Sequence, residues 1–139
     1  MRPQLSDFGP RPYATDIDAL TKHNNTYRTA IWTGPKSQAT VMSINVGDDI
    51  GLEVHPDNDQ FIKIEEGRGI VQMGDRKDNL YYQQHIFPGW AVFVPAGTWH
   101  NITNVGNTPL KVYTIYSPAH HPWGTVHQTK AIAEAQEGH

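Results

Sequence analysis

Residues 89 to 104 have the sequence Gly-Trp-Ala-Val-Phe-Val-Pro-Ala-Gly-Thr-Trp-His-Asn-Ile-Thr-Asn, and this stretch decides the fold. It predicts a strand at 90–94, a tight turn at 95–97 and a second strand that begins near His100. Proline fixes φ at the entry of the turn and Gly97 supplies its strained position, so the chain reverses between two apolar strands. A histidine directly after such a turn has its imidazole aimed at a fixed point. The function depends on which other side chains meet it there.

Further short strands are predicted on both sides of this stretch. They are recognised by β-branched and aromatic residues, by alternation of apolar and polar residues, and by turn-forming residues between them. They are predicted at 27–33, 38–46, 50–55, 60–64, 69–73, 80–87 and 110–116. Many short, regularly spaced strands indicate an all-β sandwich or barrel.

The two ends of the chain are predicted to be arms with short helices. Prolines in the first dozen residues exclude regular structure there, and Thr15 is the predicted cap of a helix docked by Ile17 and Leu20. At the other end, Thr129 is the predicted cap of a helix at 130–136, which is rich in alanine and glutamate.

The composition is that of an ordinary globular protein, and the length of 139 residues predicts one domain with a real core. Cysteine is absent, which excludes disulfides and thiolate metal sites. A net charge of −3 without a basic cluster argues against nucleic acid and anionic membranes as partners. No membrane-spanning run or signal-peptide pattern is visible, so we expect a cytoplasmic protein.

Four polar side chains are predicted to converge inside the barrel. Glu53 and His55 are two apart in an extended stretch and leave the same face, while Gln60 and His100 each open a strand after a turn. Two imidazoles, a carboxylate and an amide oxygen suit a six-coordinate divalent ion such as Mn, Fe, Ni or Co, and tolerate Zn. About two coordination positions would remain for water or substrate. The alternative is a hydrogen-bonded polar network without metal.

Two spaced motifs resemble those of the cupins. The pattern Gly-x5-Pro-x-Gly-x2-His-x3-Asn is matched by Gly89, Pro95, Gly97, His100 and Asn104. The pattern Gly-x5-His-x-His-x4-Glu-x6-Gly is matched in spacing by Gly47, Glu53, His55, Gln60 and Gly67. In the second pattern, Glu53 stands at the usual first histidine and Gln60 at the usual glutamate.

The resemblance implies an RmlC-like double-stranded β-helix, which is a jelly-roll barrel. Residues 1–139 then form a single cupin domain, with its barrel at 27–116, an N-terminal arm at 1–26 and a C-terminal arm at 117–139. The fold alone does not fix the chemistry, because it carries isomerases, epimerases, lyases, decarboxylases, dioxygenases, transcription factors and storage proteins.

The altered motif keeps the usual ligand charge of one carboxylate but lowers the number of imidazoles. Glu53 supplies the carboxylate and Gln60 is neutral, so we expect a harder site with weaker affinity for late transition metals. More narrowly, residues 51–67 and the Gly-Thr-Val-His at 124–127 are similar to small bacterial cupins labelled mannose-6-phosphate isomerase-like.

Strand parity predicts a mostly aliphatic and aromatic pocket. Gln60 takes Ile62 and Ile64 inward with it, whereas Lys111 is predicted to face solvent or a partner. Arg28 is the only cation whose direction stays ambiguous. Because a phosphate usually needs a nearby cation, this pattern favours a neutral sugar, a metal-binding carboxylate or an aromatic hydroxy compound.

Two residues are candidates for catalysis, each with a structural alternative. His85 is either a general base near the metal or a surface histidine of its strand, and Tyr116 either lines the pocket or fills the core. His120, His121 and His127 follow the barrel, where solvent exposure is expected and closure over the mouth is the alternative.

The resulting function is a metal-binding enzyme that acts on a small sugar-like or carboxylate substrate by isomerase or lyase chemistry. The alternatives are a dioxygenase with a redox-active metal and a non-enzymatic cupin that binds a small ligand. The resemblance also implies a homodimer, for which Phe61, Tyr113 and Ile115 are the predicted interface residues.

Overall fold

The computed structural model describes residues 5–137; residues 1–4 and 138–139, the outer ends of the two predicted arms, lie outside the described residues. The elements in chain order are α1 (Ile17–His23), β1 (Arg28–Thr33), β2 (Gln38–Ile44), β3 (Asp59–Glu66), β4 (Gly69–Gly74), β5 (Tyr82–Ile86), β6 (Ala91–Val94), β7 (Trp99–Asn104), β8 (Leu110–Ser117), β9 (Val126–His127) and α2 (Lys130–Glu137). No helix within this part of the chain is long and apolar enough to cross a membrane.

The strands form two antiparallel sheets. One has six strands in the order β6-β3-β8-β2-β1-β9, and the other has three in the order β5-β4-β7. The predicted all-β jelly-roll class with short helices is therefore confirmed. Between the sheets lies an apolar core built mainly from isoleucine and valine side chains.

Strand parity along β3 follows the prediction. Gln60, Ile62 and Ile64 are buried between the sheets, while Phe61 and Lys63 alternate with them on the outer face. Phe61 packs edge-on against the exposed ring of Phe93, with the ring centres 5.1 Å apart. The apolar outer face exists as expected, and its use in a homodimer stays a prediction.

The N-terminal helix covers another part of the outer face of the six-stranded sheet. Its cap is Asp16, whose carboxylate accepts a hydrogen bond from the backbone N–H of Ala19, and not the predicted Thr15. Leu20 on this helix packs with Ile31 and Val41 of the sheet below.

The buried position of Lys111 corrects the prediction that this residue faces solvent or a partner. Its side chain points outward from β8 but is only 5% exposed, because the end of α1 lies over it. The ammonium donates to the carbonyl oxygen of Asn24 and, at 3.1 Å, to Oδ1 of Asn25. Burial lowers the pKa of Lys111, although Glu66 partly opposes this. Cations at helix C-termini satisfy such unpaired carbonyl groups, and strand parity alone does not reveal them.

The stretch at 50–55 is not the continuous strand that was predicted. Gly51 has φ of 84°, which breaks the extended backbone. The segment instead makes isolated bridges to β7, between Asp49 and Thr103 and between Glu53 and His100. The second bridge brings the two motif residues directly opposite each other.

The C-terminal arm returns to the barrel and adds a strand that was not predicted. In β9, His127 pairs with Arg28 and Val126 pairs with Thr29. The hydroxyl of Thr129 accepts a hydrogen bond from the N–H of Ile132 at 3.2 Å, as expected for the cap of α2. Lys130 then forms ion pairs with Asp48 and Asp49. The arm is thus tied to the turn at Asp48 and Asp49, which precedes the segment that carries Glu53.

Candidate metal centre

Three of the four predicted ligands form one cluster. The bridge between Glu53 and His100 has backbone hydrogen bonds of 3.1 and 2.9 Å, and His55 follows two residues after Glu53. A ligand atom from each residue lies within 4.8 Å of those of the other two. Oε1 of Glu53 is 3.3 Å from Nε2 of His55 and 3.8 Å from Nε2 of His100. All three groups therefore face one point.

Gln60 is on the same inner face and has the right chemistry to be the fourth member. It is 4% exposed and pairs with Val94 on one side and Tyr116 on the other. Within residues 5–137, three buried atoms near this point make no hydrogen bond of good geometry: Nε2 of His55, which is 3.3 Å from Oε1 of Glu53, Oε1 of Gln60 and Nε2 of His100. Leaving buried polar atoms unpaired is costly. These are the lone-pair atoms that a metal would use, so the residues fit a divalent ion.

His100 is fixed in the tautomer that a metal requires. Its Nδ1 is 3.0 Å from the carbonyl oxygen of Thr98, so Nδ1–H donates a hydrogen bond to that oxygen and the lone pair is on Nε2. Burial lowers the pKa of His100, although the Thr98 carbonyl and Glu53 partly oppose this. A neutral imidazole is the form that binds metals, and the lowered pKa preserves it into mildly acidic solution.

Glu53 provides the negative charge of the cluster. Burial alone would raise its pKa, but His55, His100 and Arg28 outweigh burial and hold the pKa below its usual value. Its side chain keeps 23% of its surface exposed, so the cluster opens to the outside on this side. A carboxylate beside two imidazoles is an N/O ligand set for a divalent ion.

A second group of aromatic side chains lies beside the cluster. The ring of His120 is 4.1 Å from the ring of His55, and the ring of Tyr116 is 5.6 Å from it, measured between centres. The Tyr116 hydroxyl is 3.4 Å from Nε2 of His121. Tyr116 is buried next to the candidate ligands, whereas His120 is exposed near them.

The other histidines lie in different places from those expected. His121 and His127 are buried, contrary to the expected solvent exposure, because β9 folds back onto β1. His85 is exposed and alternates with the buried Ile86 in β5, so it faces away from the cluster. In the sequence, the histidines that follow directly after the last barrel strand were the signal that this arm could close over the barrel.

Arg28, left ambiguous by the sequence, is buried on the inner face. It pairs with Met42, a core residue, and its Nη1 is 3.1 Å from Nδ1 of His127. It shares a cleft of about 280 Å³ with Glu53. The sequence did not reveal the direction of Arg28 because β9, the strand that pairs beside it, has only two residues. A strand this short shows no alternation of apolar and polar residues.

Comparison with known proteins places these observations in a family. A model of the cupin domain matches residues 40–116. The chain is 58% identical over 133 residues to the uncharacterized protein YrkC of Bacillus subtilis (strain 168), covering 96% of this chain and 72% of that protein. It is 45% identical over 115 residues to the uncharacterized protein L612 of Acanthamoeba polyphaga mimivirus, covering 82% of this chain and 70% of that protein.

Solved structures agree with this assignment. The crystal structure of BH2720 from Bacillus halodurans superposes with a TM-score of 0.93 at 58% identity, covering 94% of this chain and 98% of that one. KdgF from a Halomonas species superposes with a TM-score of 0.59 at 20% identity, covering 67% of this chain and 80% of that one. At this lower identity the likeness concerns the fold alone.

Proposed function

Because this chain belongs to the cupin family, we propose that its barrel binds a divalent metal ion on four converging side chains, Glu53, His55, Gln60 and His100. The observation that supports this proposal most directly is that Nε2 of His55, Oε1 of Gln60 and Nε2 of His100 meet at one point and are among the buried atoms without a hydrogen-bond partner in residues 5–137. Mn, Fe, Ni, Co and Zn all accept such an N/O set. A bound ion would supply Lewis-acid polarisation of a substrate oxygen.

We further propose isomerase or lyase chemistry on a small sugar-like or carboxylate substrate. Tyr116 and His120 lie next to the cluster, and both side chains exchange protons. The Tyr116 hydroxyl, 3.4 Å from Nε2 of His121, has an imidazole with which to share its proton.

Metal uptake and activity test this proposal together. Protein purified without chelator is expected to hold about one divalent ion per chain by elemental analysis. The loaded protein is then screened with aldoses, ketoses and hydroxy acids, with and without oxygen. Turnover with Zn or Mg in the absence of oxygen supports the isomerase or lyase. Failure to take up any of the five metals contradicts the proposal, and strict dependence on Fe and oxygen assigns dioxygenase chemistry instead.

Gln60→Glu is expected to tighten metal binding, by about tenfold or more, because a second carboxylate replaces a neutral amide at a buried position. The two side chains have nearly the same shape, so the change in charge dominates. Titration with Zn and Mn in a competing chelator measures the affinity. Gln72→Glu, in β4, is the matched control. Unchanged affinity in Gln60→Glu would remove Gln60 from the ligand set.

A further inference from the structure

A cleft of about 290 Å³ opens between the edges of the two sheets. Strands β5 and β6 end their sheets on this side, and within residues 5–137 they do not pair with each other. The floor of the cleft is formed by three buried core residues, Val71, Ile86 and Val92. A cavity of about 150 Å³ with apolar walls already accepts a benzene ring, so this cleft has room for a small molecule.

Aromatic side chains stand at the mouth of the cleft. Strand parity places Tyr82 on the same face of β5 as Ile86, and Trp90, directly before β6, on the same face as Val92. Tyr82 is 48% exposed and Trp90 is 43% exposed, so a ligand can reach both rings. The Trp90 ring also packs edge-on against Phe87, with the ring centres 5.6 Å apart, which holds this wall in place.

The described residues that line the cleft carry no charge. Their polar side-chain groups are the Tyr82 hydroxyl, the Gln84 amide and the Trp90 indole N–H, and the remaining side chains are apolar. A sugar has several hydroxyl groups that give up water on binding and need partners in exchange. An anion needs a cation or several donors. An uncharged aromatic ring needs neither, and it gains contact with the core and with the two rings at the mouth.

A row of side chains leads from this cleft to the candidate metal centre. Across the three-stranded sheet, Tyr82 pairs with Met73, and Met73 pairs with His100. Met73 packs against the core on the inner face, where His100 also lies. Because the Cβ atoms of directly opposite residues are about 5 Å apart, one side chain separates the cleft from His100. The thioether of a methionine is flexible and packs well against aromatic rings. A ring in the cleft therefore lies beside the metal centre.

We propose that this cleft binds an aromatic ring of the ligand whose oxygen atoms reach the metal centre. Of the two substrate classes in the proposed function, this selects the carboxylate, in the form of a small aryl-substituted acid. Met73 limits the size of the ring that fits, because it lies between the cleft and His100. The metal end of the ligand rests on the proposed function, whereas binding of the ring in the cleft does not.

The cleft is tested in the metal-free protein with benzyl alcohol and ethanol, which differ by a phenyl group in place of a methyl group. The reporter is the NMR signal of the Met73 methyl group in protein with labelled methionine, assigned with Met73→Leu. We expect benzyl alcohol to shift this signal in a saturable way and ethanol to leave it in place. Met42, which is 2% exposed in β2 of the other sheet, is the internal reference.

Two adjacent glutamines give the decisive variants. Gln84→Trp fills the cleft from an exposed position and is expected to weaken benzyl alcohol binding by about tenfold or more. Gln83→Trp, on the outer face of the same strand, is the matched control and is expected to bind as the wild type does. Trp90→Ala removes one wall and is also expected to weaken binding, and it decides the matter if Gln84→Trp does not fold.

Three results overturn the inference. The first is the absence of a saturable shift of the Met73 signal in the wild type. The second is an equal loss of benzyl alcohol binding in Gln84→Trp and Gln83→Trp. The third is a dimer that excludes benzyl alcohol and that Trp90→Ala dissociates, because the cleft then belongs to a second copy of the chain.

The Zn-loaded protein tests the link to the metal centre with mandelate and lactate, two hydroxy acids that differ by the same phenyl group. We expect mandelate to bind at least about tenfold more tightly than lactate, and Gln84→Trp to remove this difference without changing the affinity for Zn. Equal affinities in the wild type overturn the assignment of the cleft to the ligand of the metal centre. If the protein takes up no Zn, the metal function is wrong, and the metal-free titration still decides whether the cleft binds a ring.

Discussion

His100→Ala is expected to abolish stoichiometric metal binding and to lower the affinity by more than about 100-fold, since loss of a ligand exceeds the effect of losing a supporting hydrogen bond. His100 is completely buried, and the Thr98 carbonyl fixes its ring so that Nε2 faces Glu53. Elemental analysis after dialysis against Zn or Mn measures the remaining metal.

The thermal stability gives an independent readout of the same change. A ligand at 100 times its dissociation constant stabilises the native state by about 2.7 kcal/mol, so added metal should raise the melting temperature of the wild type. It should not raise that of His100→Ala. His85→Ala is the matched control, because His85 is exposed and faces away from the cluster. A His100→Ala protein that keeps the metal, or a His85→Ala protein that loses it, contradicts the site.

The parts of the site that could be predicted depend on local geometry. Gly97, with φ of 81°, makes the turn before His100, and strand alternation places Gln60 inward together with Ile62. A continuous strand at 50–55 was predicted wrongly, but the position predicted for the cluster does not depend on it. The isolated bridge at Glu53 places this residue opposite His100 as a strand would. Turn chemistry and a period of two residues are both visible in the sequence.

The parts that could not be predicted depend on where distant segments return. Arg28 is inward and oriented because His127, 99 positions later, pairs beside it. Lys111 is buried because the end of α1 happens to lie over it. His85 is in a strand whose exposed residues show no clear alternation, so its face could not be chosen from the pattern. Each of these depends on tertiary contacts that leave no periodic signal.

Asn104→Ala is expected to lower the free energy of unfolding by about 2–4 kcal/mol, because it removes three hydrogen bonds at a buried position. The Asn104 side-chain amide donates to the carbonyl oxygens of Ile44 and Thr108, both at 2.9 Å. Its Oδ1 accepts from the N–H of Gly106, also at 2.9 Å. These bonds join the end of β2 to the turn between β7 and β8, and alanine would leave both carbonyl groups without this donor.

Urea unfolding at neutral pH measures this change, and Asn107→Ala is the matched control. Asn107 is exposed in the same turn, so its replacement is expected to change stability by no more than about 0.5 kcal/mol. Equal effects of the two substitutions would mean that the bonds of Asn104 contribute little. The folded Asn104→Ala protein is expected to keep its metal, since its amide faces backbone carbonyls and not the cluster. The two substitutions in the same motif are therefore expected to have different effects. His100→Ala removes metal binding, whereas Asn104→Ala lowers the stability of the barrel.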